Sequence, residues 1–488
     1  MISPALSDRL LDAVRAACGS AGTIDEPERL RTYECDGLTG HRAIPALVCL
    51  PETAEAVQAV VRACHADGVP FVARGAGTGL SGGALPVAGG VVISVARMRR
   101  ILEIDLDGGR VVVEPGVANL DVTRAVAPHG YYYAPDPSSQ QVCTIGGNVA
   151  ENSGGAHCLK HGFTVNHVCG LSVVLSDGEL VELGGAGLDE PGPDLIGVFV
   201  GSEGTLGIAV RITLRIVRRP EQITTFLASF ESTDQAGGAV SDIVAAGILP
   251  AAIEMMDRLT IEAAEAAVHA GYPEGAGAIL ITELDGVAEQ VAEDMRVVEK
   301  ICRRNGSTEI RVAHDEVERA IIWKGRKAAF AAVGRISPDY YVQDGVVPRT
   351  QLPAVLRRIQ ALSEEHGLRV GNVFHAGDGN LHPLVLYDGA VDGEAERAEL
   401  CARAILRACV EAGGAITGEH GIGVDKVCAM PLMFTPDDLA VMDRVRRAFD
   451  PDGLANPGKL LPTPRLCGEA PGPHRMHPLE RAGVVERL

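Results

Sequence analysis

PFVARGAGTGLSGG, residues 70–83, runs an apolar segment straight into five glycines in nine residues. PFVAR (70–74) has the composition of a buried strand. The glycines behind it let backbone N–H groups approach a ligand closely and form an anion-binding concavity, for which a diphosphate is the usual occupant. The spacing departs from the dinucleotide fingerprint, no clear helix follows, and no Gly-Lys-Ser/Thr makes it a Walker loop. Alone, it also reads as a flexible turn. IGGNVAENSGG (145–155) and GSEGTLGI (201–208) are two further Gly-rich, polar-tipped loops. Three such loops in one domain fit the walls of a long cofactor site better than three idle turns.

The flanking sequence supplies the scaffold. ALVCL (46–50) is a short apolar strand, Thr53 is an N-cap, and Val57, Val60, Val61 and Cys64 share one helical face. Gly68 stops that helix, so 46–74 reads as strand, helix, strand. VVISV (91–95), ILEID (101–105) and RVVVEP (110–115) are further strands, and a helix is expected over 118–129. LSVVLSDGELVEL and GTLGIAVRITLRIV return the chain to β structure between 168 and 217. RRPE (218–221) marks a boundary. Beyond it, strands at 224–230 and 278–284 alternate with Ala-rich helices at 234–246, 257–270, 286–304 and 394–412. The fold class is α+β, with an antiparallel sheet in the second domain.

At 488 residues the chain is long enough for two or three domains. A net charge of −20 argues against a nucleic-acid partner. No apolar run is long enough for a membrane span. MISPALSDRLLDAVRAACG lacks a cationic start, an apolar block and a cleavage site, and reads as an amphipathic helix. The 12 cysteines contain no C-x-x-C pair, which argues against an internal iron–sulfur cluster and fits reduced thiols in a cytoplasm.

Near the end of the second domain stands HAGDGNLH (375–382). Asp-Gly between apolar runs signals a two-residue type I′ hairpin turn. Centred there, the turn sets His375 opposite His382 on one face, with Cβ atoms ~4.5–5.5 Å apart. Two imidazoles so placed can chelate a metal ion, whereas a single histidine among 14 would carry little weight. GEHGIG (418–423) offers Glu419 as a third ligand beside His420. Two His and one Glu suit a divalent transition metal with open positions for substrate.

Taken in order, RGAGTGLSGG, PDPSS…IGGNVAENSGG, CLKHGFT, GSEGTLGI, HAGDGNLHP, GEHGIG and NPGK resemble the FAD-linked oxidases of the vanillyl-alcohol-oxidase type. The branch is that of the glycolate oxidase FAD subunit and D-lactate dehydrogenase, and the match runs from about Ala46 to Pro462. The resemblance implies a two-part FAD-binding domain over 46–220 and an α+β substrate and metal domain over 221–425. A helical lead over 1–45, a C-terminal helical segment over 426–465 that returns to the FAD domain, and a disordered tail over 466–488 complete the expectation. Arg74, Gly75, Ala76, Gly77, Thr78 and Gly79, with Ser81 and Gly82, match the loop around the FAD diphosphate. Asp136, Pro137, Gly146, Gly147, Asn148, Gly154 and Gly155 match a second FAD-contacting stretch. Glu203, Gly204 and Ile208 match a third, and Asn456 of NPGK joins the set. Relatives that bind FAD covalently use a His in the first loop. None lies between Arg74 and Pro86, so non-covalent FAD is expected. His161 departs from the Tyr usual in relatives.

The implied chemistry is oxidation of a D-2-hydroxy acid of the D-lactate or glycolate class. A divalent metal (Zn, Mn or Fe(II)) on His375, His382 and Glu419 would chelate the substrate carboxylate and hydroxyl. His420 would take the hydroxyl proton as base while hydride passes to flavin N5. Arg326 in IIWKGRKAAF lies three residues after Trp323, as does the carboxylate-binding Arg of relatives. Relatives acting on dicarboxylic hydroxy acids carry polar or cationic residues where this chain has Phe330 and Val342. Lys327 or Arg335 would change that reading if either turned inward. The alternatives are a D-2-hydroxyglutarate-type dehydrogenase, a phenol oxidase or an ether-lipid synthase of the same fold, and a non-catalytic FAD-binding subunit. The expected electron acceptor is an iron–sulfur subunit, a cytochrome or a quinone. The expected setting is the cytoplasm, or the inner membrane periphery through a partner, with room for a homodimer.

Overall fold

A computed structural model describes residues 6–185, 187 and 192–462. The tail expected over 466–488 lies outside the described residues. The chain divides into two compact units. One comprises Met1–Ser153, Phe163–Arg218 and Glu419–Leu488, and the other Gly154–Gly162 and Arg219–Gly418.

The first unit holds two main sheets, besides a two-stranded pair of Tyr131–Tyr132 with Val217–Arg218. In the smaller, Leu47–Cys49, Val91–Ser94 and Phe71–Arg74 run parallel, and Thr23–Ile24 adds an antiparallel edge. The helix Ala54–Asp67 makes the crossover. The Thr53 hydroxyl accepts from Ala56 N–H at 3.2 Å, and Gly68 ends the helix in the left-handed region at φ +63°. Val57, Val60, Val61 and Cys64 are buried with Phe71, Val91 and Ile93 in one core. The larger sheet is antiparallel, in the order Ile101–Asp105, Arg110–Val113, Ile208–Arg215, Val168–Val174, Leu180–Gly184. Asn119–Val126 and Ile145–Glu151 pack on its core face. Residues 145–151 were expected as loop, but they form a helix. Thr144 caps it by accepting from Gly147 N–H at 3.3 Å.

The second unit is built on an antiparallel sheet of nine strands. Gln222–Phe230, Ala278–Gly286, Ala252–Asp257 and Val370–His375 are its central neighbours. Alternation along Ala252–Asp257 shows why both faces are covered. Ile253 and Met255 face a core closed by Thr233–Ala245, Ala288–Arg304, Leu352–His366 and Glu394–Glu411. Ala252 and Met256 face a core closed by Arg258–Val268 and Glu316–Ala332. Gly154–Gly162 is fastened to the same sheet. His157 Nε2 lies 3.1 Å from Glu283 Oε1, and Lys160 Nζ binds Asp285 through its carboxylate and its carbonyl. Among the described residues, no helix is long and apolar enough to cross a membrane, and none of the 11 described cysteines is in a disulfide.

Candidate functional site

The expected site residues fall in both units. In the first, the strand Phe71–Arg74 ends at the Gly-rich loop. Among the described residues, nothing accepts a hydrogen bond from the N–H groups of Ala76 to Gly83. Ser81 is fully buried and its Oγ has no partner. A run of unsatisfied donors lined by small residues is an anion cradle waiting for acceptors. Gly77 and Gly82 have φ +71° and +80°, and a Cβ at either would lie within 2.5 Å of Arg74 or Val424. The backbone can therefore take this path only with glycine there.

Several expected cofactor contacts turn out to hold loops. Arg74 is 8% exposed, donates from Nη1 to Ala84 carbonyl at 3.3 Å and lies over the Tyr33 ring at 5.6 Å. Asn148 is engaged by Asn119, Ser153 and Cys143. Ile208 sits in the core, and a Cβ on Gly146 would strike Pro115. Glu203 Oε1 and Oε2 accept from Ile422 and Gly423 N–H at 2.6 and 2.7 Å. Asn456 Nδ2 donates to the carbonyls of Gly83 at 2.8 Å and Glu203 at 2.6 Å, and its Oδ1 accepts from Lys459. The C-terminal NPGK turn thus staples the first and third loops together. Gly75 lets the strand end approach the Thr144 cap, where a Cβ would stand 2.2 Å from Oγ1. Gly154 and Gly155 belong to the second unit.

Beneath these loops Glu203 joins a charged cluster with Glu151 and Lys459, two residues that the sequence did not single out. Glu151 Oε2 is buried without a hydrogen-bond partner, and both it and Glu203 stand where a Cβ on Gly421 would go. Burial, and then Glu203, push the Glu151 carboxyl well above the usual range. Burial also raises Glu203, against the N–H groups of Ile422 and Gly423. Lys459 donates to the Leu85 carbonyl, and burial pushes it down to about 7 despite Asp36, Glu203 and Glu151 nearby.

In the second unit the hairpin register differs from the expectation. His375 pairs with Asn380, and Asn372 with Pro383. The turn spans four residues: Gly379 N–H donates to His375 carbonyl at 3.1 Å, and only Gly379 takes positive φ, at +82°. A type I′ turn would need it at both central residues. The expected register is off by two, and a two-residue shift preserves the side-chain face. His375 and His382 therefore still meet, their ring centroids 5.1 Å apart and their planes at 89°.

His375 Nδ1 lies 2.7 Å from Glu254 Oε1, and Arg326 Nη2 lies 2.6 Å from Glu254 Oε2. His382 is 1% exposed, its Nδ1 3.8 Å from the fully buried Asp344. Asp344 accepts from the Thr417 hydroxyl at 2.6 Å and from Gly418 N–H at 2.9 Å. Glu419 is the next residue, so its Cα lies ~3.8 Å from that of Gly418. Glu419 and His420 belong to the first unit, with His420 Nε2 3.9 Å from Glu419 Oε1. Arg326 is 5% exposed, which rules out an ordinary surface helix Arg. The Phe330 ring lies 5.9 Å from both Arg326 and His382. Lys327 and Arg335 are exposed. Burial raises Glu254, but His375 and Arg326 outweigh it and hold the carboxyl below its usual range.

Comparison with known proteins gives two family matches. Residues 45–184 match an FAD binding domain, and 219–460 match the C-terminal domain of FAD linked oxidases. The chain is 52% identical to glycolate oxidase subunit GlcD of Escherichia coli, over 96% of this chain and 94% of that one. It is 32% identical to a D-lactate dehydrogenase of Anaerostipes hadrus, over 86% and 90%. Among solved structures, a 4-ethylphenol oxidase from Gulosibacter chungangensis superposes with a TM-score of 0.78 at 21% identity, over 95% and 99% of the two chains. That likeness speaks to the fold.

Proposed function

The chain belongs to the FAD-linked oxidases, and from that premise we propose that it oxidises a small D-2-hydroxy acid of the glycolate or D-lactate class to the 2-oxo acid. The observation that carries this is the meeting, on one face of the second unit, of the His375–His382 pair and the buried Arg326. A 2-hydroxy acid presents a carboxylate for a guanidinium, and a hydroxyl–carboxylate pair for a metal. The glycolate oxidase subunit of E. coli and the D-lactate dehydrogenase of A. hadrus point to the same class.

The residues fit both implied groups. The free N–H run of Ala76–Gly83 and the orphaned Ser81 Oγ suit the diphosphate of non-covalent FAD. Two imidazoles backed by the buried carboxylates Glu254 and Asp344 suit a divalent cation, with Glu419 as third ligand. Bound FAD supplies the hydride acceptor, and the bound metal supplies Lewis acidity toward the substrate hydroxyl and carboxylate. Arg326 fixes the carboxylate through its remaining donors, and Phe330 closes the apolar side. His420 accepts the hydroxyl proton on a ring nitrogen. Because Lys327 and Arg335 are exposed, a second substrate carboxylate lacks a partner and would lose ~1–3 kcal/mol. Electrons then leave to an iron–sulfur subunit, cytochrome or quinone.

The test is an anaerobic panel of 2-hydroxy acids monitored at the flavin band, with and without chelator. Bleaching by glycolate or D-lactate that chelator abolishes is the expected result. Metal-replete, FAD-loaded protein that no small 2-hydroxy acid bleaches would sink the proposal.

A further inference from the structure

In the strand Ala252–Asp257, Glu254 stands between Ala252 and Met256, the two residues that face an apolar core. Alternation therefore demands an apolar side chain at Glu254, yet a carboxylate is there, 1% exposed. Burying such a group is expensive unless it is paired. Breaches of local pattern of this kind concentrate at functional sites.

Glu254 is directly opposite His375 in the ladder, so both side chains leave the sheet on one face. Oε1 reaches His375 Nδ1 at 2.7 Å, while Oε2 reaches Arg326 Nη2 at 2.6 Å. A carboxylate only accepts, so the His375 proton sits on Nδ1 and the Nε2 lone pair is left to face away from Glu254. The other oxygen orients the guanidinium from the helix Glu316–Ala332.

We propose that Glu254 is the shared positioning residue of the site, fixing His375 as an Nε2 metal ligand while holding Arg326 in place for the substrate carboxylate. It touches neither metal nor substrate. This rests on the metal reading above. Losing a partner of this kind typically weakens metal affinity 10–100-fold. Glu254→Gln keeps the shape but offers one acceptor oxygen in place of two, so it cannot serve both the His375 N–H and the Arg326 guanidinium.

The experiment measures Zn²⁺ affinity of FAD-loaded protein by competition with a chromophoric chelator, for wild type, Glu254→Gln and His382→Ala. Expected are one site in wild type, its loss in His382→Ala, and roughly 10–100-fold weaker binding in Glu254→Gln with FAD content unchanged. If Glu254→Gln binds within threefold of wild type, the positioning role is overturned while the metal site stands. If wild type binds no Zn²⁺, or His382→Ala binds it equally well, the metal reading fails and takes the proposal with it. Should Glu254→Gln lose FAD through misfolding, Glu254→Gln combined with Arg326→Gln removes both buried charges. The same loss of affinity is expected there, and unaltered affinity overturns the role.

Discussion

Replacing Asn456 by Ala removes the staple between the first and third loops of the FAD-binding unit. Two buried carbonyls, on Gly83 and Glu203, lose their donor, and Lys459 loses an acceptor. Each group left unsatisfied costs ~1–3 kcal/mol. Asn456 also sits at φ +45°, where Ala pays about 1 kcal/mol more than a residue suited to that region. The three groups and the backbone strain together come to roughly 4–10 kcal/mol. At ~2 °C per kcal/mol, the apoprotein midpoint should fall by at least about 8 °C in a thermal scan. FAD affinity should fall tenfold or more, for which ~1.4 kcal/mol of the loss suffices. The two readouts separate a staple from a contact. An apoprotein midpoint within 1 °C of wild type, together with weakened FAD binding, would make Asn456 a direct ligand and refute the reasoning.

His382→Ala should keep the bound flavin spectrum yet lose bleaching by substrate, and retained bleaching would remove this histidine from the chemistry. D-2-hydroxyglutarate should show a kcat/KM below that of D-lactate by about 5–150-fold, the equivalent of ~1–3 kcal/mol. Phe330→Arg should narrow that gap, and a wild type that prefers the dicarboxylate would contradict the apolar wall. Lys459 has a folded pKa of about 7 against 10.5 in the open chain, so folding releases its proton throughout that window. Its contribution therefore opposes the fold most fully below pH 7 and relents as pH rises. Unfolding free energies from denaturant titration, compared between wild type and Lys459→Met, should drift in favour of wild type by about 1.4 kcal/mol per pH unit between pH 7 and pH 10, and a flat difference would deny the depressed pKa.

Local chemistry was legible in the sequence wherever it was self-contained. The cap at Thr53, the stop at Gly68 and the apolar face of Val57, Val60, Val61 and Cys64 are as expected, because each depends on near neighbours. The hairpin face was right and its register was wrong. Gly377 N–H donates to Ile253 carbonyl and a Cβ on Gly377 would strike Leu159, so tertiary contacts favour a wider turn. The helix at 145–151 was hidden by its own glycines, which weaken helical propensity until Thr144 caps it. The strand Ala252–Asp257 was missed because Glu254 breaks its alternation, and its reason, His375, lies 121 residues away. The same distance problem recast Glu203 and Asn456. Motif position placed them at the cofactor, but their atoms are engaged by backbone more than 200 residues distant in sequence.

The central claim is joint dependence on FAD and metal, and it is tested most directly by titrating metal back into chelated, FAD-loaded protein under anaerobic conditions with saturating D-lactate or glycolate. The fraction of flavin bleached should rise from near zero and level off at one metal per chain. Full bleaching before any metal is added, or none at saturating metal, would contradict it.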